Sequence, residues 1–392
     1  MPILPPATIG ILGGGQLGRM LGLAARAMGY RVAVLDPDVA CPAASVADEI
    51  VLGTYDDVGA ALRLAERSQV VTYELEHIAA DVVRAIEPLV AVRPGRHPLV
   101  VTQDRLAERR FVEAAGVAVA PWREARTTAD LRAAASPDAL GLPLRVKVAI
   151  GGYDGRGQVR LTDPREIDGV LDRLRRPSGA AVLVERELAF DSELSVIVTR
   201  GVDGTEATFP IARNVHVDGV LVESVAPAAV ESEVAARAAE IGRRLATAMD
   251  LVGTLTAELF LLADGAIVVN ELAPRVHNSG HWTIEGAATS QFEQHIRAIC
   301  GLGLGATAAL SPTAMVNLLG TGPKRSAHLV GVEAAMSDPD VHLHLYDKRS
   351  VFQGRKMGHV TALGPDVDAA LERALAAGAA LSWADGPTAD DR

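Results

Sequence analysis

The sequence predicts a parallel α/β region at its N-terminus and a longer α+β region after it. Over about the first hundred residues, short apolar runs alternate with segments of helical spacing, which is typical of a parallel sheet with crossover helices. Beyond that point, short apolar runs bounded by turn residues follow one another without regular intervening helices, which is typical of α+β folds. A segment of small residues, 301–312, then indicates a linker to a smaller C-terminal part.

The individual elements follow from the spacing of apolar residues. In the α/β region we expect strands at residues 8–12, 31–35, 49–52, 69–73 and 89–92, and helices at 16–29, 58–68 and 78–86. Residues 92–98 contain two prolines and a glycine and predict a loop, and a helix is expected at 105–115. Later strands are predicted at 144–148, 182–185, 194–199, 208–212, 315–319 and 342–346, with a last helix at 366–378.

The composition limits the classes of function. The chain has 392 residues, which at roughly 150 residues per domain suggests two or three domains. Its formal net charge of −11 argues against a protein that binds nucleic acid or an anionic membrane in general, because both are negatively charged. Two cysteines, Cys41 and Cys300, are too few for a disulfide framework, so we expect a cytoplasmic location. Neither a signal peptide nor a run of about 18 apolar residues is evident, so we expect no membrane span.

A glycine-rich stretch, GILGGGQLGRM, follows the first predicted strand. It contains the G-x-G-x-x-G pattern as Gly13, Gly15 and Gly18, and the acidic Asp36 ends the next apolar run. Taken alone, this pattern indicates a dinucleotide-binding turn, in which backbone N–H groups point toward an anion. The pattern is common, so it leaves open whether the ligand is NAD or another phosphate.

A pair of glutamates flanks a predicted hairpin turn in residues 254–274. Two apolar runs surround Asp264-Gly265, which is a strong signal for a two-residue turn. Glu258 lies six residues before Asp264 and Glu271 lies six residues after Gly265, so the two side chains would face each other with Cβ atoms about 5 Å apart. Because like charges repel, we expect a divalent cation such as Mg²⁺, which usually also holds substrate phosphates. A different register or a protonated glutamate are the alternatives.

A second glycine-rich loop, KVAIGGYDGRGQ at residues 147–158, follows a predicted strand. Its four glycines would let the backbone approach a phosphate, and Lys147 and Arg156 add positive charge. It lacks the G-x-x-x-x-G-K-[ST] pattern of a P-loop, and a flexible surface turn is the alternative. After it, Glu185 and Glu193 at strand ends could accept hydrogen bonds from an adenine amino group or ribose hydroxyls.

Together these segments resemble the ATP-grasp superfamily and, within it, the 5-(carboxyamino)imidazole ribonucleotide synthetase family of purine biosynthesis. The resemblance rests on the strings GGGQLGRM, TYELEH, QDR, GGYDGRGQ, NVHVDG, NELAPRVHNSGHWT, YDK and GRKMGH, which occur in family order over nearly the whole chain. It implies a Rossmann-like pre-ATP-grasp domain at 1–104, an ATP-grasp domain at 105–303, a small C-terminal domain at 304–385 and a polar tail at 386–392.

The resemblance also implies a reaction, its ligands and an assembly. In that family, 5-aminoimidazole ribonucleotide, ATP and bicarbonate give N5-carboxyaminoimidazole ribonucleotide, ADP and phosphate through carboxyphosphate. ATP and Mg²⁺ are therefore the implied cofactors, and a homodimer is the implied assembly. Because carboxyphosphate hydrolyses readily, closure of the second glycine loop would protect it from water.

The family pattern assigns roles to particular residues of this sequence. Mg²⁺ falls to Glu258 and Glu271, the reacting groups to Arg275, His277, Tyr153 and Arg156, and bicarbonate to Arg275, His277 and Asn278. The implied ATP contacts are Arg105, Lys147, Gly152, Tyr153, Asp154, Gly155, Arg156, Gly157, Gln158, Glu185, Arg186, Glu187, Leu188, Glu193, His216, Asn270 and Glu271. The implied ribonucleotide contacts are Gln16, Leu17, Glu74, Tyr153, Arg275, His277, Asn278, Lys348, Arg355 and Lys356.

Two short segments depart from the family pattern. The triplet at residues 148–150 is Val-Ala-Ile where the family usually carries a polar, Arg-containing triplet, and Arg213 replaces an acidic residue or histidine. Without the resemblance, Lys348, Arg355 and Lys356 would be read as an ordinary solvated face. Glu74 would likewise be read as an exposed residue at a strand end.

Three other functions compete with this interpretation. Formate-dependent glycinamide ribonucleotide transformylase shares the architecture, but GGYDGRGQ and NELAPRVHNSGHW favour the carboxylating family. An NAD-dependent oxidoreductase would use the first glycine loop and would leave the facing glutamates unexplained. A nucleotide-binding subunit without catalysis would have no need to retain both metal-binding glutamates.

Overall fold

The computed structural model of this chain describes residues 1–152, 157–174 and 179–385, and a parallel sheet forms their N-terminal part. Its strands lie in the order β3-β2-β1-β4-β5, as expected of an α/β layer with crossover helices. The strands are β1 (Thr8–Leu12), β2 (Arg31–Asp36), β3 (Glu49–Leu52), β4 (Val70–Tyr73) and β5 (Ala91–Val92). The helices are α1 (Gln16–Ala27), α2 (Val58–Glu66), α3 (Ala80–Ile86), α4 (Arg96–Gln103) and α5 (Arg105–Ala114), with a 3₁₀ turn at Pro42–Ser45.

The predicted loop at residues 92–98 is partly wrong, because helix α4 begins inside it at Arg96. Pro98 lies in the first turn of that helix, where a backbone N–H has no intrahelical acceptor and a proline is therefore tolerated. Pro98 is therefore compatible with the start of a helix, although prolines and glycines are also typical of loops.

An antiparallel four-stranded sheet follows, with the strand order β6-β9-β7-β8. Its strands are β6 (Trp122–Ala125), β7 (Leu144–Val148), β8 (Gln158–Leu161) and β9 (Val182–Arg186). Helices α6 (Thr128–Ala135) and α7 (Ile167–Arg173), with a 3₁₀ turn at Pro164–Glu166, cover one face of this sheet with apolar side chains such as Leu131 and Val170. The uncovered face is therefore left to line a cleft.

A larger, mainly antiparallel sheet contains the remaining long strands. Its main path within the described residues is β15-β14-β10-β12-β13, which strands of the C-terminal part extend beyond β13, and β11 pairs with β10. The strands that precede the small-residue linker are β10 (Ser192–Arg200), β11 (Glu206–Thr208), β12 (Ala212–Val217), β13 (Val220–Ala226), β14 (Gly253–Leu261) and β15 (Ile267–Ala273). The helices of this part are α8 (Ser232–Ala248), α9 (Thr283–Gly286) and α10 (Gln291–Cys300), with a 3₁₀ turn at Asn278–Gly280.

The predicted strand at residues 208–212 is wrong, because β11 ends at Thr208 and β12 begins at Ala212. Pro210 lies between them and has no N–H to extend a ladder, so the strand is interrupted there. Phe209 and Ile211 are nevertheless buried, which explains why the segment has the apolar character of a strand.

The C-terminal part continues the large sheet instead of forming a separate one. Strand β16 (Thr313–Leu319) pairs with β13, and β21 and β19 follow it outward. The other elements are β17 (Arg325–Ser326), β18 (His328–Val330), α11 (Val332–Ala335), β19 (Val341–Leu345), β20 (Ser350–Val351), β21 (Lys356–Leu363), α12 (Val367–Ala380) and β22 (Ser382–Ala384). Helix α12 packs on β16 and β21, so this part shares its sheet with the centre of the chain. None of the described helices has the length and apolar character to cross a membrane.

Candidate active site

A cleft of about 1180 Å³ lies between the four-stranded sheet and the large sheet. Its walls come from the ends of β7 and β9, from β14 and β15, and from the segments at residues 76–80 and 100–105. The structure brings many of the predicted site residues together in its lining: Arg105, Lys147, Gly152, Gly157, Gln158, Glu185, Arg186, Glu187, Leu188, Glu193, His216, Glu258, Asn270, Glu271, Arg275, His277 and Lys356.

Some predicted site residues lie elsewhere. Gln16, Leu17, Glu74, Asn278, Lys348 and Arg355 are not lining residues of this cleft. Tyr153, Asp154, Gly155 and Arg156, together with the tail at 386–392, fall outside the described residues. The roles assigned to both groups stay predictions.

The two glutamates face each other as predicted, but the turn between their strands is different. Leu262 N–H donates to Ala266 O at 2.9 Å, so three residues and not two form the loop. Gly265 adopts a φ of +80°, and the Asp264 carboxylate accepts a hydrogen bond from Ala266 N–H at 2.9 Å. A three-residue loop with glycine in the left-handed region is the next most common hairpin form.

A bulge at Asn270 restores the predicted pairing. Near the turn Leu259 lies opposite Val269, which is one residue out of the predicted register. Beyond the extra residue Asn270, Glu258 lies opposite Glu271. The bulge leaves the Asn270 carbonyl free of the ladder, and Arg109 Nη2 donates to it at 2.6 Å. The facing carboxylates therefore depend on a feature that the sequence pattern did not reveal.

The two carboxylates have opposite electrostatic environments. Burial raises the pKa of Glu258 to about 7, and the charge of Glu271 adds to that rise although His216 opposes it. Burial also acts on Glu271, but Arg105 and Lys147 outweigh it and lower the pKa of that carboxyl. A divalent cation would favour the ionised form of both groups. Two carboxylates with cationic side chains for phosphates nearby match the usual surroundings of Mg²⁺, so the residues present fit this ion.

A network of buried charges connects the two sheets. Lys147 Nζ lies 2.7 Å from Glu185 Oε2, and Arg109 Nε lies 2.6 Å from Glu185 Oε1. Burial alone would raise the pKa of Glu185, but Lys147 and Arg109 lower it to about 2. Burial lowers the pKa of Lys147, while Glu185 opposes that shift. The network holds a lysine ammonium in the cleft at the end of β7, which suits a phosphate.

Sequence reasoning missed Glu108 and Arg109, although both are almost fully buried. Arg109 Nη1 lies 2.7 Å from Glu108 Oε1, and Leu272 N–H donates to Glu108 Oε2 at 3.0 Å. Burial raises the pKa of Glu108 to about 7. Both residues follow Arg105 at the helical spacings of three and four, so they share its face of α5, and this spacing could have revealed them.

A second missed residue, Glu76, holds Arg275. Its two carboxylate oxygens lie 2.7 and 2.8 Å from Arg275 Nε and Nη2, which is a bidentate pair. The neighbouring His277 places Nε2 3.5 Å from Glu258, and burial lowers the pKa of this histidine well below its ordinary value. Asn278 is buried, and its amide oxygen and nitrogen have no hydrogen-bond partner among the described residues. This corner of the cleft thus offers a cation and an imidazole, and the residue after His277 carries an unpaired amide.

Another part of the cleft lining combines polar and aromatic groups. Arg145 and Arg160 donate to the Glu187 carboxylate at 2.8 and 2.7 Å, and they lower its pKa although burial acts in the other direction. His216 Nδ1 contacts the carboxylate of Glu193, because β12, which contains His216, pairs with β10, which contains Glu193. Phe190 and Phe260 stack with ring centroids 4.4 Å apart, a planar apolar surface that sequence reasoning missed. An adenine ring suits such a surface.

The first glycine loop donates its N–H groups to the protein's own carboxylates. Gly15 N–H and Gly18 N–H donate to the two oxygens of Glu74 at 2.5 and 2.7 Å, and Gly14 N–H donates to Asp36 at 2.8 Å. Glu74 is buried, so the alternative of an exposed strand-end residue is wrong. Asp36 ends β2 as predicted, and its carboxylate also holds the loop. The anion that these N–H groups face is therefore an internal one.

The basic side chains of the C-terminal part form a connected group. Lys348 Nζ donates to the Lys356 carbonyl at 2.6 Å and lies 5.6 Å from the ring centroid of Tyr346. Arg355 Nη1 donates to the carbonyl and hydroxyl oxygens of Ser350, both at 2.6 Å. These contacts hold the side chains in place, which differs from the ordinary solvated face considered above.

Family models match three successive parts of the chain. A ribonucleotide synthetase preATP-grasp domain matches residues 6–103, an ATP-grasp domain matches residues 110–292, and a phosphoribosylaminoimidazole carboxylase C-terminal domain matches residues 313–373. The predicted three-part architecture is confirmed. The exact boundaries at 104 and 303 stay predictions.

Named relatives are similar over almost the whole chain. The N5-carboxyaminoimidazole ribonucleotide synthase of Bacillus subtilis (strain 168) is 42% identical over 363 residues, which are 92% of each chain. A protein of the same name from Brucella melitensis is 42% identical over 361 residues, which are 92% of this chain and 97% of the relative.

Solved structures of proteins with nearly the same name are similar to this chain over almost its whole length. An N5-carboxyaminoimidazole ribonucleotide synthetase in complex with ADP superposes with a TM-score of 0.89 at 44% identity, over 96% of this chain and 97% of that one. The enzyme from Aspergillus clavatus in complex with ADP and 5-aminoimidazole ribonucleotide gives a TM-score of 0.86 at 31% identity, over 95% and 98%. The matches span the preATP-grasp, ATP-grasp and C-terminal parts together. The chain is an ATP-dependent ligase and belongs to the N5-carboxyaminoimidazole ribonucleotide synthase family.

Proposed function

We propose that this chain uses the cleft to form carboxyphosphate from ATP and bicarbonate and to carboxylate the exocyclic amine of 5-aminoimidazole ribonucleotide. The observation that carries the proposal is the pairing of Glu258 with Glu271 across β14 and β15, beside the cations of Lys147 and Arg105. One relative, whose structure contains ADP with this ribonucleotide, supports the same ligands here. The reaction belongs to purine biosynthesis.

The nucleotide would lie in the cleft between the Phe190–Phe260 surface and the glutamate pair. The Phe190–Phe260 surface and the polar groups of Glu187, Glu193 and His216 suit adenine and ribose. Lys147 and Arg105 would then be next to the phosphates, where they would balance the charge that shifts from the γ-phosphate to ADP. Bicarbonate oxygen attacks the γ-phosphorus, the bond to the β-phosphate oxygen breaks, and ADP leaves.

Glu258 and Glu271 would hold Mg²⁺, because they present facing carboxylates where the phosphates would lie. The ion would supply charge neutralisation of the phosphate oxygens. Among the described residues, no group of three or more acidic, histidine or cysteine side chains could hold a metal by itself. The remaining ligands would therefore be water and phosphate oxygens.

The corner of Arg275, His277 and Asn278 suits bicarbonate and the amine. The Arg275 guanidinium is fixed by Glu76, and the amide of Asn278 is buried and unpaired. The amine nitrogen attacks the carboxyl carbon of carboxyphosphate, the carbon–oxygen bond to phosphate breaks, and phosphate and the amine proton leave. Lys348, Arg355 and Lys356 would hold the phosphate of the ribonucleotide. Contacts with Gln16, Leu17 and Glu74 remain part of this proposal.

The assembly and the location are part of the proposal as well. Resemblance to the family favours a homodimer, which light scattering after size-exclusion chromatography would test. Cys41 and Cys300 are both buried and unpaired, which favours a reducing cytoplasm.

The deciding experiment measures phosphate release from Mg-ATP. We expect release to require both 5-aminoimidazole ribonucleotide and bicarbonate, and formate should not replace bicarbonate. Turnover with formate and glycinamide ribonucleotide would instead identify the transformylase activity. Release that is independent of the ribonucleotide would contradict the proposal. An NADH titration should give no signal, because Glu74 and Asp36 occupy the N–H groups of the first glycine loop.

A variant tests the metal assignment. Glu271→Gln should lose at least about a hundredfold in kcat, because a neutral amide is a poor ligand for Mg²⁺. The matched control is Glu372→Gln on the exposed side of α12, which should keep its activity. Near-normal kcat in a folded Glu271→Gln protein would refute the assignment.

A further inference from the structure

Three histidines form a row behind the basic group of the C-terminal part; His281 and His359 are almost fully buried, whereas His344 is partly exposed. The rings of His281 and His359 are 4.8 Å apart, and those of His359 and His344 are 4.5 Å apart and stacked. The row follows from strand register, because His359 in β21 lies directly opposite His344 in β19. His344 Nε2 also lies 2.6 Å from a carboxylate oxygen of Glu285. The ring of His359 is thus held on both faces.

A hydrogen bond connects this row to Tyr346. The Tyr346 hydroxyl and His359 Nδ1 are 2.9 Å apart, and both residues are almost fully buried. Burial raises the pKa of Tyr346 and lowers that of His359 well below its ordinary value, with His281 and His344 adding to the second shift. Both groups are therefore neutral, and a neutral hydrogen bond fixes the tilt of the phenol ring.

The ring of Tyr346 lies beneath the ammonium group of Lys348. The distance from Lys348 Nζ to the ring centroid is 5.6 Å, within the range of a cation–π contact, and the ammonium donates to the Lys356 carbonyl at 2.6 Å. A lysine side chain has many rotamers, so a ring and a carbonyl that fix its ammonium reduce the entropy lost on binding an anion.

The residue between Tyr346 and Lys348 makes this geometry possible. Asp347 has a φ of +58°, a left-handed conformation that is uncommon outside glycine but tolerated by aspartate and asparagine. This conformation turns the chain between a buried ring and a half-buried ammonium. The Asp347 carboxylate lies 3.6 Å from Arg19 on α1, but more than half of that side chain is exposed, so this ion pair contributes little.

We infer that His359 is a positioning residue for the ribonucleotide phosphate: through Tyr346 it sets the place of the Lys348 ammonium. This inference rests on the proposed function, in which Lys348 binds that phosphate. It gives a role to His359 and Tyr346, which the proposed mechanism does not otherwise use. Since His359 does not reach the cleft lining, its effect would be confined to binding of the ribonucleotide.

Two variants remove the hydrogen bond and should have the same effect. Tyr346→Phe deletes one oxygen and keeps the ring, and His359→Phe keeps a stacked ring without a polar atom. In each case we expect KM for the ribonucleotide to rise about tenfold while kcat and KM for Mg-ATP stay within about twofold of the unmodified chain. Asp347→Asn, which keeps the left-handed φ and loses the exposed ion pair, is the control and should change KM less than twofold.

A conservative variant separates positioning from packing. His359→Asn keeps a polar atom near the Nδ1 position, so it should recover most of the affinity for the ribonucleotide, whereas a role in packing alone predicts no recovery. If His359→Phe fails to fold, Tyr346→Phe decides the question. Unchanged KM in Tyr346→Phe, or an equal rise in KM for Mg-ATP, would overturn the inference. If the unmodified chain shows no ribonucleotide-dependent phosphate release, the proposed function itself has failed, which is a separate outcome.

Discussion

The chain contains two glycine-rich loops, and they use glycine for opposite purposes. In the first loop, Gly15 and Gly18 donate their N–H groups to Glu74, and a side chain at either position would collide with an atom already present. In the second loop, Gly151 has nothing within 4 Å of the place where a Cβ would lie. The first loop is thus closed by the protein itself, whereas the described part of the second borders an open cleft.

This contrast shows why a glycine motif alone does not identify a ligand. Backbone N–H groups at the start of α1 attract an anion, as the motif predicts, but a buried glutamate from the neighbouring strand supplies it. The second loop lacks a recognised phosphate-binding pattern and yet borders the cleft beside Lys147. Which loop binds a nucleotide is decided by the long-range contacts around each one.

The largest expected effect comes from adding a methyl group to the closed loop. In Gly15→Ala the new Cβ would lie 2.5 Å from Glu74 Oε1, so the carboxylate must move and lose charge-assisted hydrogen bonds. We expect a loss of about 3–5 kcal/mol in the free energy of unfolding, measured with urea. Gly151→Ala is the matched comparison and should lose only about 1–2 kcal/mol, the cost of its φ of +85°. Equal losses would erase the distinction between the loops.

The next largest effect concerns Lys147, at the start of the second loop beside the open cleft. Lys147→Met removes the ammonium next to Glu185 while keeping most of the volume of the side chain. We expect the Kd for Mg-ATP to rise about a hundredfold, or about 2.7 kcal/mol, measured by calorimetry. Lys324→Met at an exposed position is the control and should bind Mg-ATP normally. Tight binding by Lys147→Met would place the phosphates elsewhere.

Local pattern was sufficient for much of the fold. The strand Thr8–Leu12 lies where the apolar run predicts it. The pairing of Glu258 with Glu271 was also predicted, although it forms only because the bulge at Asn270 offsets the longer turn. The confirmed family membership added the three-part architecture, which single-residue spacing did not contain. Periodicity and turn residues report short-range geometry, so they predict single strands, helices and turns.

Other features depend on contacts that no local pattern contains. The bulge at Asn270 is stabilised by Arg109, which is 161 residues away along the chain. The anion of the first loop comes from Glu74, 59 residues after Gly15, and Glu76 pairs with Arg275 across 199 residues. Such pairs form only when elements that are far apart in the sequence come together, so a single sequence read by spacing could not predict them.

A smaller effect tests whether Glu74 is the closing anion. Glu74→Gln keeps one acceptor oxygen but turns an amide nitrogen toward one of the two N–H donors. We expect a loss of about 2 kcal/mol in the free energy of unfolding, because one buried donor is left unpaired. Glu66→Gln, on the exposed side of α2, controls for the loss of a glutamate charge. Stability equal to that of the control would mean that the loop does not need its internal anion.

The effect that is smallest at neutral pH appears at the junction of the two regions and grows on acidification. His295 of α10 accepts a hydrogen bond from Thr254 N–H of β14 at 3.1 Å through Nδ1, so Nε2 carries the proton and donates to Thr72 Oγ1 of β4 at 2.8 Å. This side chain therefore connects the sheet of the first loop to the hairpin of the glutamate pair. Burial lowers its pKa from 6.5 to about 3.

The sign of the pH dependence follows from that shift. Between pH 6.5 and about 3 the unfolded chain binds a proton at this position and the folded chain does not, so stability is complete above pH 6.5 and falls on acidification. His295→Asn keeps an acceptor for Thr254 and cannot be protonated, so urea unfolding at several pH values should show a slope smaller by up to about 1.4 kcal/mol per pH unit. His328→Asn controls for the loss of an exposed imidazole. An unchanged slope would mean that His295 becomes protonated within the folded protein. The hydrogen bonds of His295 to Thr254 and Thr72 would then persist around a buried charge, which contradicts the pKa expected from its burial.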